Sequence, residues 1–309
     1  MRYRLLLPLY WPSWIGLGTL RILERLPYPA MLVMGRCIGR LARRLPLNYV
    51  RIARRNIELC LPELSKQERE ELVDRHFESL GMGVCESAMC WWSSDERIRA
   101  LSSIEGGEYL DAALAAGRGV ILLTAHFTTL EISARILNTR RPVSALYRPL
   151  KNPVLAAASD RFRERLGHTI RHDDIRAMVR SLRNNEIVWY APDQSFRKKG
   201  ARMVRFFGVP APTNIGTSRL ALVTGAAILY LSHERLPNGE GYRLVIHAPT
   251  GDVPSEDPVA DTERFNHFIE QHVRRVPDQY WWIHRRFKGL GAQDPEHYGL
   301  SRRSRWRRD

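Results

Sequence analysis

The stretch that decides the fold is GVILLTAHFTTLEISARIL, residues 119–137. A glycine precedes the short apolar run from Val120 to Leu123, and a helix-like pattern follows from Leu130. A buried strand that passes into a helix is the repeating unit of an α/β fold. His126 lies on the connection between them, at the carboxyl end of the strand, where α/β proteins form their sites.

The same alternation continues along the chain. Further strand-like runs occupy residues 143–149, 186–192, 227–235 and 242–249, with helical patterns between most of them. The last two runs are joined by the turn-rich LPNGEG, residues 236–241, and are predicted to form an antiparallel pair. We therefore predict an α/β domain over residues 104–290, with a mostly parallel mixed sheet flanked by helices.

The chain on either side of this domain has a different character. Residues 26–103 show helical spacing of apolar residues throughout, and Ser65 with Glu68 predicts a capping box at one helix start. Residues 291–309 form a basic C-terminal tail that includes RRSRWRR. We therefore predict a helical N-terminal region before the α/β domain and a basic tail after it.

Residues 1–25 are strongly apolar, and no charge occurs between Arg4 and Arg21. This stretch is shorter than the ~20 residues that a spanning helix needs. It contains two prolines and the interfacial residues Tyr10, Trp11 and Trp14. We predict a membrane anchor or an interfacial segment, with a buried N-terminal helix as the alternative.

The charge of the chain indicates its partners. Lys and Arg number 48 against 33 Asp and Glu, a net charge of +15 and a pI near 10.2. Such an excess favours an anionic partner: nucleic acid, an anionic membrane, or an acidic protein or phosphorylated substrate. No nucleic-acid-binding motif is recognisable, so nucleic acid is not expected. The sequence has no P-loop, GxGxxG, GxSxG or metal-ligand spacing, and we expect no metal or cofactor.

The pair His126 and Glu131 can be interpreted in two ways. Positions five apart on a helix differ by ~140°, so the two side chains can meet only if His126 precedes the helix. A neutral imidazole could then accept a proton from an alcohol that attacks an acyl carbonyl, with the carboxylate fixing the tautomer. Alternatively, Thr128 and Glu131 form a capping box, and the glutamate has no chemical role.

Other segments favour the catalytic interpretation. H-x4-D/E resembles the signature of the lysophospholipid (glycerolipid) acyltransferase superfamily, and LYRPLKNP, YAPDQS and FFGVPAPTN, which begin at residues 146, 190 and 206, resemble its further blocks. PDQYWWIHRRFK, residues 277–288, is similar to the C-terminal hallmark of the bacterial lipid A lauroyl/myristoyl acyltransferases. RIARRNIELCLPELS, residues 51–65, also resembles that family, so the resemblance covers nearly the whole chain.

The resemblance implies a specific reaction. An inner-membrane enzyme facing the cytoplasm would transfer a fatty acyl chain from acyl-acyl carrier protein onto a hydroxyl of a hydroxyacyl chain on the Kdo-lipid A precursor. His126 would be the general base and Glu131 its orienting carboxylate. Arg148, Asp193, Arg285 and Arg286 would bind substrate.

Two alternatives stay open at this point. The acceptor could be another anionic glycolipid or phospholipid, or the chain could be a membrane-surface binding protein without activity. An intact pair of His126 and Glu131 argues against the second alternative.

Overall fold

A computed structural model describes residues 5–147, 150, 152–165, 169–171, 173–291 and 293–299. The chain begins with a helical part in which a short 3₁₀ turn, Pro8–Tyr10, leads into a series of helices. These are α1 (Trp11–Leu23), α2 (Tyr28–Arg44), α3 (Asn48–Cys60), α4 (Lys66–Trp92) and α5 (Asp95–Ala100). Ser65 and Glu68 form the predicted capping box at the start of α4. No helix of the described residues is long and apolar enough to cross a membrane.

The α/β part follows, and its elements alternate as predicted. In chain order they are β1 (Ser102–Glu105), α6 (Gly107–Ala115), β2 (Val120–Leu123), α7 (Leu130–Asn138), β3 (Ser144–Tyr147), α8 (Pro153–Arg165), β4 (Thr169–Arg171), α9 (Ile175–Arg183), β5 (Ile187–Tyr190), β6 (Ala201–Phe206), β7 (Val209–Asn214), α10 (Gly216–Thr224), β8 (Ala227–Arg235), β9 (Tyr242–His247) and α11 (Pro258–Arg275).

Seven of the described strands form one sheet in the order β1-β9-β8-β2-β5-β3-β4. Every neighbouring pair is parallel except β8 and β9, which are antiparallel. The predicted α/β class, the mostly parallel sheet and the antiparallel pair are therefore confirmed. The hairpin of β6 and β7 stands apart as a second, two-stranded sheet, which the sequence patterns did not predict.

The sheet is buried on both faces, as the uninterrupted apolar run of β2 requires. Ile121 and Leu123 pack into a core shared with α3, α9, α10 and α11. Val120 and Leu122 point the other way, into a core shared with α2, α6 and α7. Successive strand residues alternate between faces, so a run of four apolar residues places β2 at the centre of the molecule.

Glycines allow α2 and α4 to touch along their backbones. Gly35 and Gly39 of α2 face Gly81 of α4, and a Cβ on Gly81 would collide with the Gly35 carbonyl oxygen and the Gly39 nitrogen. Further along α4, a Cβ on Gly83 would lie 2.8 Å from the carbonyl oxygen of Thr128. The long helix α4 therefore packs directly against both α2 and the loop that carries His126.

Candidate active site

His126 lies on the loop between β2 and α7, as predicted. Its ring Nδ1 lies 2.5 Å from Oδ1 of Asp193, and its backbone N–H donates to Oδ2 of the same carboxylate at 3.0 Å. The His126 side chain is 24 % exposed, whereas that of Asp193 is only 3 % exposed. The carboxylate is therefore sealed in the protein, and the imidazole is the part that substrate can reach.

The register of the sheet explains why these two residues meet. Leu123 of β2 pairs with Tyr190 of β5 in a parallel ladder. His126 and Asp193 each follow those paired residues by three positions. Because parallel strands end at the same edge of a sheet, equal offsets bring the two side chains together.

Asp193 is held in its ionised form. Burial alone would raise its pKa, but the charge of His126 and the hydrogen bonds from His126 lower the pKa of Asp193 below its ordinary value. Tyr280 adds a further hydrogen bond from its hydroxyl to Oδ2, at 3.2 Å. An ionised Asp193 accepts the proton of Nδ1–H, so the lone pair of a neutral His126 lies on Nε2.

The carboxylate that contacts His126 is not the one that the sequence predicted to orient it. Glu131 lies in the first turn of α7, where its side chain is exposed, and within the described residues it makes no hydrogen bond to His126. Burial is the main cause that raises the pKa of Cys90 on α4, and the negative charge of Glu131 adds to this effect. Both the ring and the backbone N–H of His126 are engaged by Asp193. Asp193, predicted as a substrate-binding residue, is thus the carboxylate in contact with His126, and the catalytic role of Glu131 stays a prediction.

The alternative interpretation of Glu131 as a capping residue is wrong. The N-cap of α7 is Thr129, and its side chain makes no capping hydrogen bond. The hydroxyl of Thr128 is instead 2.8 Å from that of Ser79 on α4. The loop is therefore anchored by contacts to other parts of the molecule rather than by a local cap.

The segment PDQYWWIHRRFK supports the His126 loop from the other side. Thr128 N–H donates to the Gln279 carbonyl at 2.7 Å, and Trp281 N–H donates to the His126 carbonyl at 2.9 Å. These bonds form a short antiparallel bridge between Phe127 and Tyr280. The C-terminal motif that carried the resemblance therefore holds the backbone of the His126 loop in place.

Asn56 of α3 joins this arrangement, and the sequence interpretation did not single it out. Its side-chain amide donates to the carbonyls of Trp282 and His284, both at 2.6 Å, and its oxygen accepts from Tyr298 at 2.7 Å. Asn56 is buried on an otherwise apolar helix face. A buried polar residue on such a face was the signal that could have revealed it.

The predicted substrate-binding arginines differ in their surroundings. Arg286 is buried and donates to the Pro212 carbonyl at 2.8 Å and to the Thr213 hydroxyl at 2.7 Å, so its donors support β7. Its charge also contributes to the lowered pKa of Asp193. Arg285 is half-buried, with no hydrogen bond or ion pair to a described residue. Arg148 lies outside the described residues, and substrate contact by all three arginines stays a prediction.

A narrow cavity opens beside His126 and Asp193. Its lining includes Trp281, Trp282, His284 and Phe206. Tyr280 and Trp282 are buried, as expected for core residues, whereas Trp281 is half-buried at the cavity wall. The site thus combines a polar dyad with several aromatic side chains in one cavity wall. In the described part of the chain, no cluster of three or more His, Cys, Asp or Glu side chains is placed to hold a metal ion.

Comparison with known proteins identifies the family. Residues 1–289 match the family described as bacterial lipid A biosynthesis acyltransferase. The chain is 36 % identical to the lipid A biosynthesis lauroyltransferase of Escherichia coli strain K12, over 95 % of this chain and 97 % of the relative. It is 38 % identical to the lipid A biosynthesis palmitoleoyltransferase of the same organism, over 91 % of this chain and 92 % of the relative. It is 27 % identical to the myristoyltransferase of that organism, over 89 % of this chain and 86 % of the relative. The chain belongs to the bacterial lipid A biosynthesis acyltransferases and is an O-acyltransferase.

Proposed function

We propose that this protein transfers a fatty acyl chain from acyl-acyl carrier protein to a hydroxyl of a hydroxyacyl chain on the Kdo-lipid A precursor, at the cytoplasmic face of the inner membrane. The observation that carries the proposal is the dyad of His126 and Asp193, joined at 2.5 Å beside the cavity. The relatives named for lauroyl, palmitoleoyl and myristoyl transfer support an acyl chain as the transferred group.

In the proposed mechanism His126 acts as the general base. Nε2 accepts the proton of the acceptor hydroxyl while that oxygen attacks the carbonyl carbon of the acyl thioester. The tetrahedral intermediate collapses, the carbon–sulfur bond breaks, and the thiolate takes the proton back from the imidazolium. Asp193 keeps the proton of Nδ1 in place and stabilises the imidazolium, so each turnover returns His126 to its starting form.

The charge of the chain supports these substrates. A net charge of +15 suits an acidic carrier protein and an acceptor that carries phosphates and acidic sugars. Arg285 is one cation near the site without an ion pair to a described residue. We propose that it contacts an anionic group of a substrate.

Exposed apolar residues on α1 and α2 support attachment to the membrane. Ile15 is 69 % exposed and Leu41 is 63 % exposed, and further exposed apolar side chains in this part of the chain are Leu9, Trp11, Ile22, Val33 and Met34. Arg44 at the end of α2 is exposed and forms no ion pair with a described residue. Exposed apolar side chains together with an exposed arginine are typical of a protein that lies in the headgroup region of an anionic bilayer.

Mass spectrometry of lipid A tests the reaction. Cells that lack the protein should lose one acyl-chain mass from lipid A, and wild type but not His126→Ala should restore it. The lost mass gives the chain length, and parallel assays with acyl-acyl carrier protein and acyl-CoA separate the two donors. An unchanged lipid A would contradict the proposed acceptor, and full restoration by His126→Ala would contradict the proposed base.

Flotation with vesicles of phosphatidylethanolamine and phosphatidylglycerol tests the membrane surface. Ile15→Glu and Leu41→Glu should each lower the bound fraction, because a charge on this surface must leave the apolar layer. Leu222→Glu is the matched control, since Leu222 on α10 is 57 % exposed and lies away from α1 and α2. Equal binding of all three variants and wild type would contradict attachment through this surface.

A further inference from the structure

A second histidine, His284, lines the same cavity as His126. It comes from the C-terminal segment, at a position to which the proposed mechanism assigns no role. Its surroundings determine both its tautomer and its charge, and these two properties decide what it can do.

The tautomer follows from one hydrogen bond. The backbone N–H of Ser195 donates to Nε2 of His284 at 3.0 Å. A backbone N–H can only donate, so Nε2 must be the acceptor and the ring proton of a neutral His284 must lie on Nδ1. The same loop therefore orients both imidazoles, His126 through Asp193 and His284 through Ser195.

The donor on Nδ1 is free to meet a ligand. It makes no hydrogen bond to any residue that the structure describes, and it is not one of the sealed polar atoms that lack a partner. Nδ1–H is therefore not sealed by the surrounding protein, and the residue that carries it lines the cavity beside His126. The ring itself is fixed in place, because the His284 carbonyl accepts from Asn56 at 2.6 Å and Nε2 is held by Ser195.

His284 stays neutral over the working range of an enzyme. Burial is the main cause that lowers its pKa to about 3; Asp193 acts in the opposite direction, and His126, Lys288 and Arg286 act in the same direction as burial. A neutral ring with its lone pair engaged by Ser195 is not a base. It is a fixed hydrogen-bond donor, as a neutral imidazole can be when it polarises a carbonyl.

We propose that Nδ1–H of His284 donates a hydrogen bond to the acyl carbonyl oxygen and to the oxyanion that forms there. This inference rests on the proposed acyl transfer. As the acceptor oxygen attacks, the electron pair of the C=O bond moves to its oxygen, and His284 stabilises the negative charge without giving up its proton. When the pair returns and the carbon–sulfur bond breaks, His284 is unchanged. The two histidines thus have complementary roles: His126 accepts a proton, and His284 stabilises the charge.

A pair of isosteric substitutions tests the proposal. In His284→Asn the amide nitrogen can occupy the position of Nδ1 and keep the donor, whereas in His284→Gln the amide lies nearer the position of Nε2. Removing one such donor lowers kcat by about 10²–10³-fold. We expect that loss for His284→Gln with little change in KM, and a loss of less than about 10-fold for His284→Asn. His267→Asn, on an exposed side chain of α11, is the matched control and should be as active as wild type.

Equal kcat values for the Asn and Gln variants would overturn the proposal, because a purely structural role would not distinguish the position of the amide. Both variants should keep the pH profile of the wild type, since His284 does not titrate near neutral pH. Nitrogen-15 NMR of the wild-type histidines gives an independent readout. The Nδ1–H tautomer of His284 is expected at pH 7, and the Nε2–H tautomer or a charged ring would overturn the proposal.

Hydrolysis of the acyl thioester by water separates this inference from the proposed function. Hydrolysis at the same site passes through the same oxyanion but needs no lipid acceptor. If even wild type fails to acylate the lipid A precursor, the proposed function fails, and the order of the Asn and Gln variants in hydrolysis still tests His284. If wild type acylates the precursor and His284→Gln does so equally fast, only the role of His284 is wrong.

Discussion

The carboxylate of Asp193 meets two different demands, and Asp193→Asn separates them. Oδ2 accepts from the His126 backbone N–H at 3.0 Å and from Tyr280 at 3.2 Å, whereas Oδ1 faces Nδ1 of His126 at 2.5 Å. An asparagine keeps the first two bonds only if its oxygen replaces Oδ2. Its NH₂ group then faces Nδ1 and donates to it, so the ring proton moves to Nε2 and the base has no lone pair for the substrate.

The expected loss follows from this change of tautomer. The same change in a Ser-His-Asp triad costs about 10⁴-fold in kcat, so we expect kcat to fall by about 10³–10⁴-fold with little change in KM. At 1.36 kcal/mol for each factor of ten, this is about 4–5 kcal/mol of transition-state stabilisation. Folding should be preserved because the substitution keeps the volume of the buried side chain.

The assay is the rate of acyl transfer under saturating donor and acceptor, together with nitrogen-15 NMR of His126. Wild type and Glu131→Gln should both show the Nδ1–H tautomer, because Glu131 makes no hydrogen bond to His126 within the described residues. Asp193→Asn should show the Nε2–H tautomer. A folded Asp193→Asn protein that keeps kcat within about tenfold of wild type would refute the reasoning, as would a tautomer that changes in Glu131→Gln but not in Asp193→Asn.

Three further predictions concern stability. Burial is the main cause that lowers the pKa of four histidines to between about 3 and about 4: His76, His233, His272 and His284. The unfolded state therefore binds more protons than the folded state as pH falls below 6.5, and the free energy of unfolding in urea should be about 5 kcal/mol smaller at pH 5.5 than at pH 7.5. A midpoint that does not change with pH would contradict this. Gly81→Ala should lower the free energy of unfolding by about 3 kcal/mol or more, because the added Cβ would collide with backbone atoms. Gly16→Ala is the control: it has open space around it and should be neutral or stabilising. Thermal unfolding of both variants and wild type measures the difference. Arg235→Met should cost about 3–5 kcal/mol in urea unfolding, because it leaves the buried carboxylate of Glu86 without its partner at 2.5 Å; an unchanged midpoint would show that the pair is not needed for stability.

The sequence was sufficient for the α/β fold because the strand β2 and the helix α7 are local patterns. A four-residue apolar run after a glycine can be recognised as a buried strand, and its side chains alternate between two cores, as the structure confirms. The hairpin of β6 and β7 was missed because β7 contains two prolines and β6 has two arginines without regular alternation, a mixture that resembles a loop. Local patterns therefore predicted the layers but not this addition.

The candidate site was predictable only in part, for the same reason. His126 was found because it lies between a strand and a helix that are contiguous in sequence. Its partner, Asp193, lies 67 residues away and meets it only because β5 is the neighbour of β2. Strand order is a long-range property that periodicity does not contain. Glu131 was chosen because it is close in sequence, whereas the contact of His126 with Asp193 becomes visible only with the register of the sheet.

The glycine crossing between α2 and α4 determines how the enzyme can approach its lipid. At this crossing no side chain separates the two backbones, so α2 cannot move closer to α4 without a collision of backbone atoms. Through Ser79 and Gly83, α4 contacts Thr128, two residues from His126. The exposed apolar side chains of α2 and His126 are therefore joined through directly packed backbone, and we expect the distance between them to vary little. If the proposed membrane attachment and the proposed base are right, the acceptor chain would have to rise out of the lipid to reach His126.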